Sequence, residues 1–452
     1  MKNLPWLLFA VMVPLASVAS RGLAATEAGS PPPLVRRIEQ QPALRDLIEA
    51  ALLHNPAIVA ARHAWKGKIE RYRVDTALAD PELFSSYAVA AADTSIPMDW
   101  QIGLSQAFPF PGTLSRRGEV AAQEIAIARL RYQRALLQVA AQAWQAAAEL
   151  DYIRQARRVA ERNGDLLGRL LQLAAAAAGK DRGSLIDVAK AQSQAAQLQY
   201  DALLMAELET TETARLNAVL SRPAGAAVGP LSLPPSPPLS LELAEIQRFA
   251  RENQQELLMA AAAVKKGEAA VRAARSETYP ELRLGAFYSG SREDGAMAGE
   301  VTSKEAVGVQ AGLSLPLWFG KNQGRVGEAE ADLVVARADL RTSGNELDAQ
   351  LSSVFFRIRN AERLLELYGG DLLPRAAAAV AAAESWFKAG QGSYADLVET
   401  TTVLYNFELA LARARADREK FLAELVQLCG GDPTGGLAVV PAAADVAGDE
   451  GP

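Results

Sequence analysis

The chain has one cysteine, Cys429, among 452 residues, so it forms no intrachain disulfide and no thiolate metal cluster. It has two histidines, His54 and His63, too far apart along a helix to share a face. Six scattered methionines add no soft-metal site. A Ser-His-Asp set has too few histidines to draw on. Gly179-Lys180-Asp181 lacks the first glycine and the Ser/Thr of a phosphate loop. The reading is therefore a non-enzyme with no cofactor and no dedicated metal site. The net charge is −6, which speaks against a nucleic-acid groove. Aromatics are only 6% of the residues, few for large globular cores. After the N-terminal segment no run of 18 apolar residues occurs, so no helical membrane span is expected.

Alanine and good helix formers are abundant. From Glu119 to Asn163 there is neither Gly nor Pro. At 1.5 Å per residue this run makes a rod of roughly 65–70 Å. Tyr132, Leu136, Val139, Ala143, Ala146, Leu150 and Ile153 step by four and three, the spacing of a coiled-coil seam.

Residues 1–25 read as a secretory signal: Lys2, an apolar stretch from Leu4 to Val18, and small residues at Ala19 or Ala25 for cleavage. An uncleaved anchor is the alternative. Residues 26–40 read as a flexible leader. A first unit spans 41–222, with strands at about 82–90 and 98–108 and a long helical hairpin over 112–220. Its strands alternate apolar residues (Trp100, Ile102, Leu104) with Gln101, Gly103 and Ser105. A Pro/Gly-rich connector follows at 223–239.

The pattern then starts again. A second unit spans 240–430, with strands at about 281–289 and 305–316 and a helical hairpin over 321–430. Tyr279-Pro280-Glu281-Leu282 answers Asp80-Pro81-Glu82-Leu83, and Gly327-Glu328 answers Gly118-Glu119. Gly370-Asp371-Leu372-Leu373 answers Gly164-Asp165-Leu166-Leu167, and both rods are expected to break there. Gly392-Ser393-Tyr394-Ala395-Asp396 answers Gly183-Ser184-Leu185-Ile186-Asp187 at the hairpin turns. Residues 431–452 read as a disordered tail. The unit is thus helix, helix, strand, strand, long helix, long helix, present twice.

Four strands with open edges cannot insert into lipid alone, because every backbone polar group there needs a partner. Three chains would supply twelve strands and close a barrel. A small soluble sheet packed on the helices is the alternative that spacing leaves open, and a secreted coiled-coil scaffold or adhesin without a channel is the matching alternative function.

The duplicated unit, Ala107-Phe108-Pro109-Phe110-Pro111-Gly112 before the first rod, Leu372-Leu373-Pro374 and the two Gly-Ser-x-x-Asp turns resemble the TolC-like outer-membrane factors of tripartite efflux systems. The likeness covers roughly residues 40–430. The run Phe108 to Arg117 is similar to the heavy-metal branch, the CzcC-like and CusC-like proteins. The resemblance implies a mainly α protein with a membrane β-barrel: a homotrimer with a 12-stranded barrel in the outer membrane of a Gram-negative bacterium and an α-helical tunnel in the periplasm. It implies a passive exit duct, partnered by a periplasmic adaptor and an inner-membrane pump of the resistance-nodulation-division type. Heavy-metal cations are the implied cargo, with drugs as the alternative.

Acidic rings narrow the entrance in such proteins. The matching positions are Asp396 and Glu399, one turn apart, with Asp187 their counterpart in the first hairpin. The competing reading has Asp396 and Asp187 complementing helix dipoles and Glu399 merely solvated. Gly183, Ser184, Gly392 and Ser393 are the candidate adaptor-docking turns, which also reverse and cap the helices. The tyrosine and arginine that help lock the closed tip in TolC itself fall at Phe387 and Gly392 here, so that lock is missing or rebuilt.

Overall fold

The computed structural model describes residues 33–87, 98–178, 185–231, 233, 237–294, 301–389 and 391–435. The chain opens with three helices: α1 (Pro33–Gln40), α2 (Leu44–His54) and α3 (Pro56–Thr76). Strands β1 (Glu82–Tyr87) and β2 (Met98–Phe108) lead into α4 (Thr113–Ala178) and α5 (Leu185–Val219). The order then recurs as α6 (Leu243–Asn253), α7 (Gln255–Ser276), β3 (Leu282–Asp294), β4 (Val301–Leu313) and α8 (Phe319–Glu366). A π-turn at Leu367–Leu372, α9 (Leu373–Lys388) and α10 (Tyr394–Cys429) complete it.

The first helices of each repeat are divided at the same place. Asn55 accepts a hydrogen bond from the Ala57 N–H (2.9 Å) ahead of α3, with Pro56 at the first turn where no N–H is needed. Gln254 does the same for α7 through the Leu257 N–H. The Asn55 amide also donates to the Val219 carbonyl (2.9 Å), tying the start of α3 to the end of α5.

The four strands form one antiparallel sheet in the order β1-β2-β3-β4. One face is a row of exposed apolar side chains: Leu83 opposite Leu104, Leu104 opposite Ala286, Ala286 opposite Val309. Leu83 is 74% exposed and Val309 87%. The other face carries Phe84 over Gly103 and Phe287 over Gly308 in a single cross-strand row. A Cβ at Gly103 would sit 2.5 Å from the Phe84 ring and 2.7 Å from the Ala286 carbonyl oxygen, so only glycine lets the ring lie on the strand. The outer edges of β1 and β4 have no strand beside them among the described residues.

Below the sheet, α4 packs against α3 and α5 of its own repeat and against α7 and α10 of the other. Tyr132, Leu136, Val139, Ala143, Ala146, Leu150 and Ile153 are all buried. The main core gathers Trp144 and Leu150 of α4, Leu351 and Ile358 of α8, and Leu422 and Val426 of α10. A second, smaller core toward the hairpin turns joins Val159, Leu167, Leu198, Tyr394, Leu397 and Tyr405.

Two expectations are corrected. α4 is continuous through Gly164-Asp165-Leu166-Leu167-Gly168, where a break is expected from the sequence. Only the second rod changes, passing through the π-turn at Leu367–Leu372. Aligned on Gly-Asp-Leu-Leu, the next residue is Gly168 in the first rod and Pro374 in the second. Pro374 has no N–H for the Gly370 carbonyl and its ring crowds that carbonyl, so the ladder widens; Gly168 keeps its N–H and α4 runs on. Residues 33–40, expected within a flexible leader, form α1, with Ile38 buried and its carbonyl accepting the Gly229 N–H (2.9 Å).

Gly103→Val is expected to displace Phe84 and block sheet assembly. Recovery of folded protein should fall at least several-fold, while a control at the open Gly312 position, Gly312→Ala, should be recovered as the parent is.

Candidate functional site

The turn between α9 and α10 is built by short-range hydrogen bonds. The Gln391 and Gly392 N–H groups both donate to the Trp386 carbonyl, at 3.0 and 3.2 Å. A Cβ at Gly392 would press on Trp386 (3.1 Å) and on the Phe387 nitrogen (3.2 Å), so a small residue is favoured at this close approach. Ser393 is the N-cap of α10, its Oγ accepting the Asp396 N–H at 3.1 Å. The turn is anchored inward by Leu397 and by Tyr394, whose ring meets Phe387 edge-on at 5.6 Å. Phe387 thus serves as an apolar clamp, and burial pushes the Tyr394 hydroxyl above its ordinary pKa.

Asp396 and Glu399 stand exposed on the first turns of α10. Neither carboxylate has an ion-pair partner among the described residues. Asp396 lies where the helix dipole favours negative charge, and Glu399 lies on the same face three residues on. The structure therefore brings Gly392, Ser393, Asp396 and Glu399 onto one turn. Asp187 lies in the first turn of α5. Gly183 and Ser184 lie outside the described residues.

Higher up, α10 is tied to α4 by charge. Arg413 and Lys420 both reach Glu149, at 2.9 and 2.6 Å. Arg162 and Asn163 share Glu408. Near the sheet, Glu124 of α4 is gripped by Lys266 of α7 and Lys68 of α3, both at 2.7 Å. These two hydrogen-bonded ammonium groups hold its carboxyl far below the ordinary 4.5, at about 2. Cys429 is buried under the end of α10, which pushes its thiol up to about 12 and keeps it unreactive.

One feature has only a faint mark in the sequence. A cavity of about 460 Å³ lies beside the π-turn, lined by Asp151, Gln155, Gly369, Leu411, Arg415 and Arg418 among others. Burial raises the Asp151 carboxyl above its usual range. Arg418 is almost fully buried and binds the Pro237 carbonyl and Glu362, while Glu362 accepts the Leu239 N–H (2.9 Å). These contacts fasten the connector between the repeats to α8 and α10. The Gly369-Gly370 pair and Pro374 are the signals that mark this place.

Among the described residues no helix is long and apolar enough to cross a membrane, and no group of three His, Cys, Asp or Glu could hold a metal ion. Trp100 and Trp318 are both exposed, at the end of β2 and just after β4.

The Glu124 clamp gives a pH prediction. A depressed folded-state carboxylate adds stability above its unfolded value of about 4.5, lost as pH falls toward 2. Glu124→Gln should melt earlier than the parent at neutral pH, and the two melting curves should converge near pH 2.

A comparison by sequence with curated proteins returned no match. Residues 248–431 match the family model described as "Outer membrane efflux protein". Among solved structures, the chain is similar to the outer membrane protein VceC from Vibrio cholerae, with 18% identity over 86% of this chain and 96% of that one and a TM-score of 0.71. It is also similar to a membrane protein from Pseudomonas aeruginosa, with 16% identity, 90% and 94% coverage and a TM-score of 0.74. A structure of CusC, described in terms of transmembrane channel formation, gives 15% identity, 86% and 92% coverage and a TM-score of 0.71. The second repeat thus carries the match to the outer membrane efflux protein family, and the chain as a whole has the fold of these TolC-like outer-membrane channels.

Proposed function

We propose that this chain is the outer-membrane duct of a tripartite efflux system in a Gram-negative bacterium. The observation that carries the reading is the four-stranded sheet. Its apolar face is exposed, its other face mixes Gly, Ser and Phe with the polar Glu82, Gln101, Arg283 and Gln310, and among the described residues its two edges are open. Such a sheet suits lipid on one side and a lumen on the other, once further copies close it. Three copies give twelve strands. The helices continue as a tube: at 1.5 Å per residue, the 66 residues of α4 span about 100 Å. That length suits a periplasmic tunnel.

The chain itself performs no reaction; it conducts passively what a periplasmic adaptor and an inner-membrane pump deliver. The turns at 183–184 and 392–393 are the adaptor-docking elements. Asp396 and Glu399, with Asp187 of the first hairpin, form the acidic constriction at the entrance, where carboxylates from three copies favour cations and retard anions. Heavy-metal ions are the cargo class in keeping with the Phe108 to Arg117 run and with a cation-selective entrance.

Two measurements test this. Extraction should require detergent, with an oligomer that survives mild electrophoresis; a water-soluble monomer overturns the duct. In planar bilayers, Asp396→Ala combined with Glu399→Ala should raise conductance or relieve block by divalent cations. An unchanged current and block removes these carboxylates from the constriction.

A further inference from the structure

The more polar face of the sheet carries two large apolar side chains, Phe84 and Phe287. Both stand in one row across the strands: Phe84 opposite Gly103, Gly103 opposite Phe287, Phe287 opposite Gly308. Each ring lies over a glycine of the next strand. The first atom that a Cβ at Gly103 would meet is the tip of the Phe84 ring, and the first three at Gly308 all belong to the Phe287 ring. Both phenylalanines are half-buried. Backbone covers one side of each ring, and the other side is open.

The duplication does not account for this row. Counted from the matching prolines Pro81 and Pro280, the place of Phe84 falls to Arg283. Counted from the matching glycines Gly118 and Gly327, the place of Gly103 falls to Gly312. Arg283 and Gly312 do stand opposite each other. The second ring is instead Phe287, at the point where the row of Phe84 crosses β3. The ring-on-glycine pattern thus occurs twice at one level of the sheet, without being copied there by the repeat. The rows beside it on this face hold Glu82, Ser105 and Gln310 on one side and Gln101 and Ser289 on the other. Glu82 is the one ionisable group in those two rows, and Arg283 already holds it.

We propose that Phe84 and Phe287 form a binding belt for organic cations on the wall of the lumen. The inference rests on the duct reading above and adds a cargo class to it. The face of an aromatic ring carries negative potential and its edge positive, so a cation over the face is attracted. A phenylalanine laid on glycine offers that face.

The chemistry of the belt selects for such ions. A bulky organic cation holds its water loosely and gains from contact with a ring face, as quaternary ammonium groups do in aromatic sites. A small hydrated metal ion keeps its shell, and the serines and glutamines beside the rings offer it no thiolate or imidazole. Two strand spacings of about 4.8 Å put the two rings of one copy roughly 10 Å apart, close enough for a bulky cation to pass from one to the next. Each contact is weak at such an open site, so the belt retains without trapping, which is what conduction requires.

Planar bilayers test the belt, with tetraphenylphosphonium as the probe, added from the barrel side to the full-length channel. An Asp396→Ala/Glu399→Ala background takes the acidic pair out of the measurement. There the probe should reduce the current. Phe84→Leu/Phe287→Leu keeps the apolar bulk and removes the ring faces, and it should raise the half-blocking concentration several-fold. Phe84→Tyr/Phe287→Tyr should block as the parent does. A half-blocking concentration that the leucines do not move overturns the belt and leaves the duct reading standing; a parent chain that passes no current overturns the duct reading itself. Uncharged triphenylphosphine oxide should block far less than the cation, and equal block by the two overturns the preference for charge. Phe287→Leu alone, which leaves the Phe84–Gly103 contact in place, should shift the block in the same direction by a smaller factor. No shift in that single variant overturns the belt even where the double variant does not fold.

Discussion

An unpaired strand edge is the constraint on which this architecture depends. A backbone N–H or C=O left without a partner in hydrocarbon costs several kcal/mol, so a four-stranded sheet with two open edges is unstable there by its own means. In water the same sheet would expose Leu83, Leu104, Val307 and Val309 as one contiguous apolar patch. Neither solvent suits one copy. The helices below share the problem in milder form: α4 is enclosed on several sides, while α5 and α8 leave Tyr200, Leu203 and Phe356 uncovered. Both the sheet edges and these helix faces therefore lack cover among the described residues.

The duplication shows inside one chain how two such units meet. The contact between repeats inside the chain is already a working example of how a β2-type strand meets a β3-type strand and how an α4-type rod meets an α7-type helix. Arg272–Glu119 and Lys266–Glu124, at 2.6 and 2.7 Å, join α7 to α4 there. Surface ion pairs contribute roughly 0–1 kcal/mol each, whereas the hydrogen-bond ladder and the alternation of faces fix the register. The ladder is therefore what fixes how the two repeats meet, with the charges a minor addition.

Much of the fold was legible because its signals are periodic or repeated. Alternation in Trp100, Ile102 and Leu104 marked a strand with one apolar face. The four-and-three steps from Tyr132 to Ile153 marked a buried helical stripe. Ser393 three residues before Asp396 marked the start of α10. What the residues did not reveal was the contrast between the two rods. Gly-Asp-Leu-Leu looks like the same break in both, because glycine lowers helix propensity by about 1 kcal/mol wherever it stands. Long rods packed on several sides absorb that cost, and α4 does so at Gly164 and Gly168. The deciding residue is the next one, since proline removes a donor and adds a clash that packing cannot absorb.

That asymmetry bears on how the two hairpins differ. In the first, α4 is one uninterrupted helix over Thr113–Ala178, and its Arg154 binds Glu209 of α5 at 2.8 Å and the Gly229 carbonyl. The second is divided at Leu367–Leu372, where backbone spacing changes and no side chain is buried. Directly beside it lies the cavity lined by Asp151, Arg415 and Arg418, with space instead of packed apolar atoms. A helix bends most readily where its ladder is already irregular and its flank is open. Asp396 and Glu399 follow this divided rod in the chain, on the first turns of α10. The two Gly-Ser-x-x-Asp sequences are alike, but Asp396 and Glu399 sit on the continuous α10, which Arg413 and Glu408 tie to α4, so the irregular backbone lies in the other arm of their hairpin.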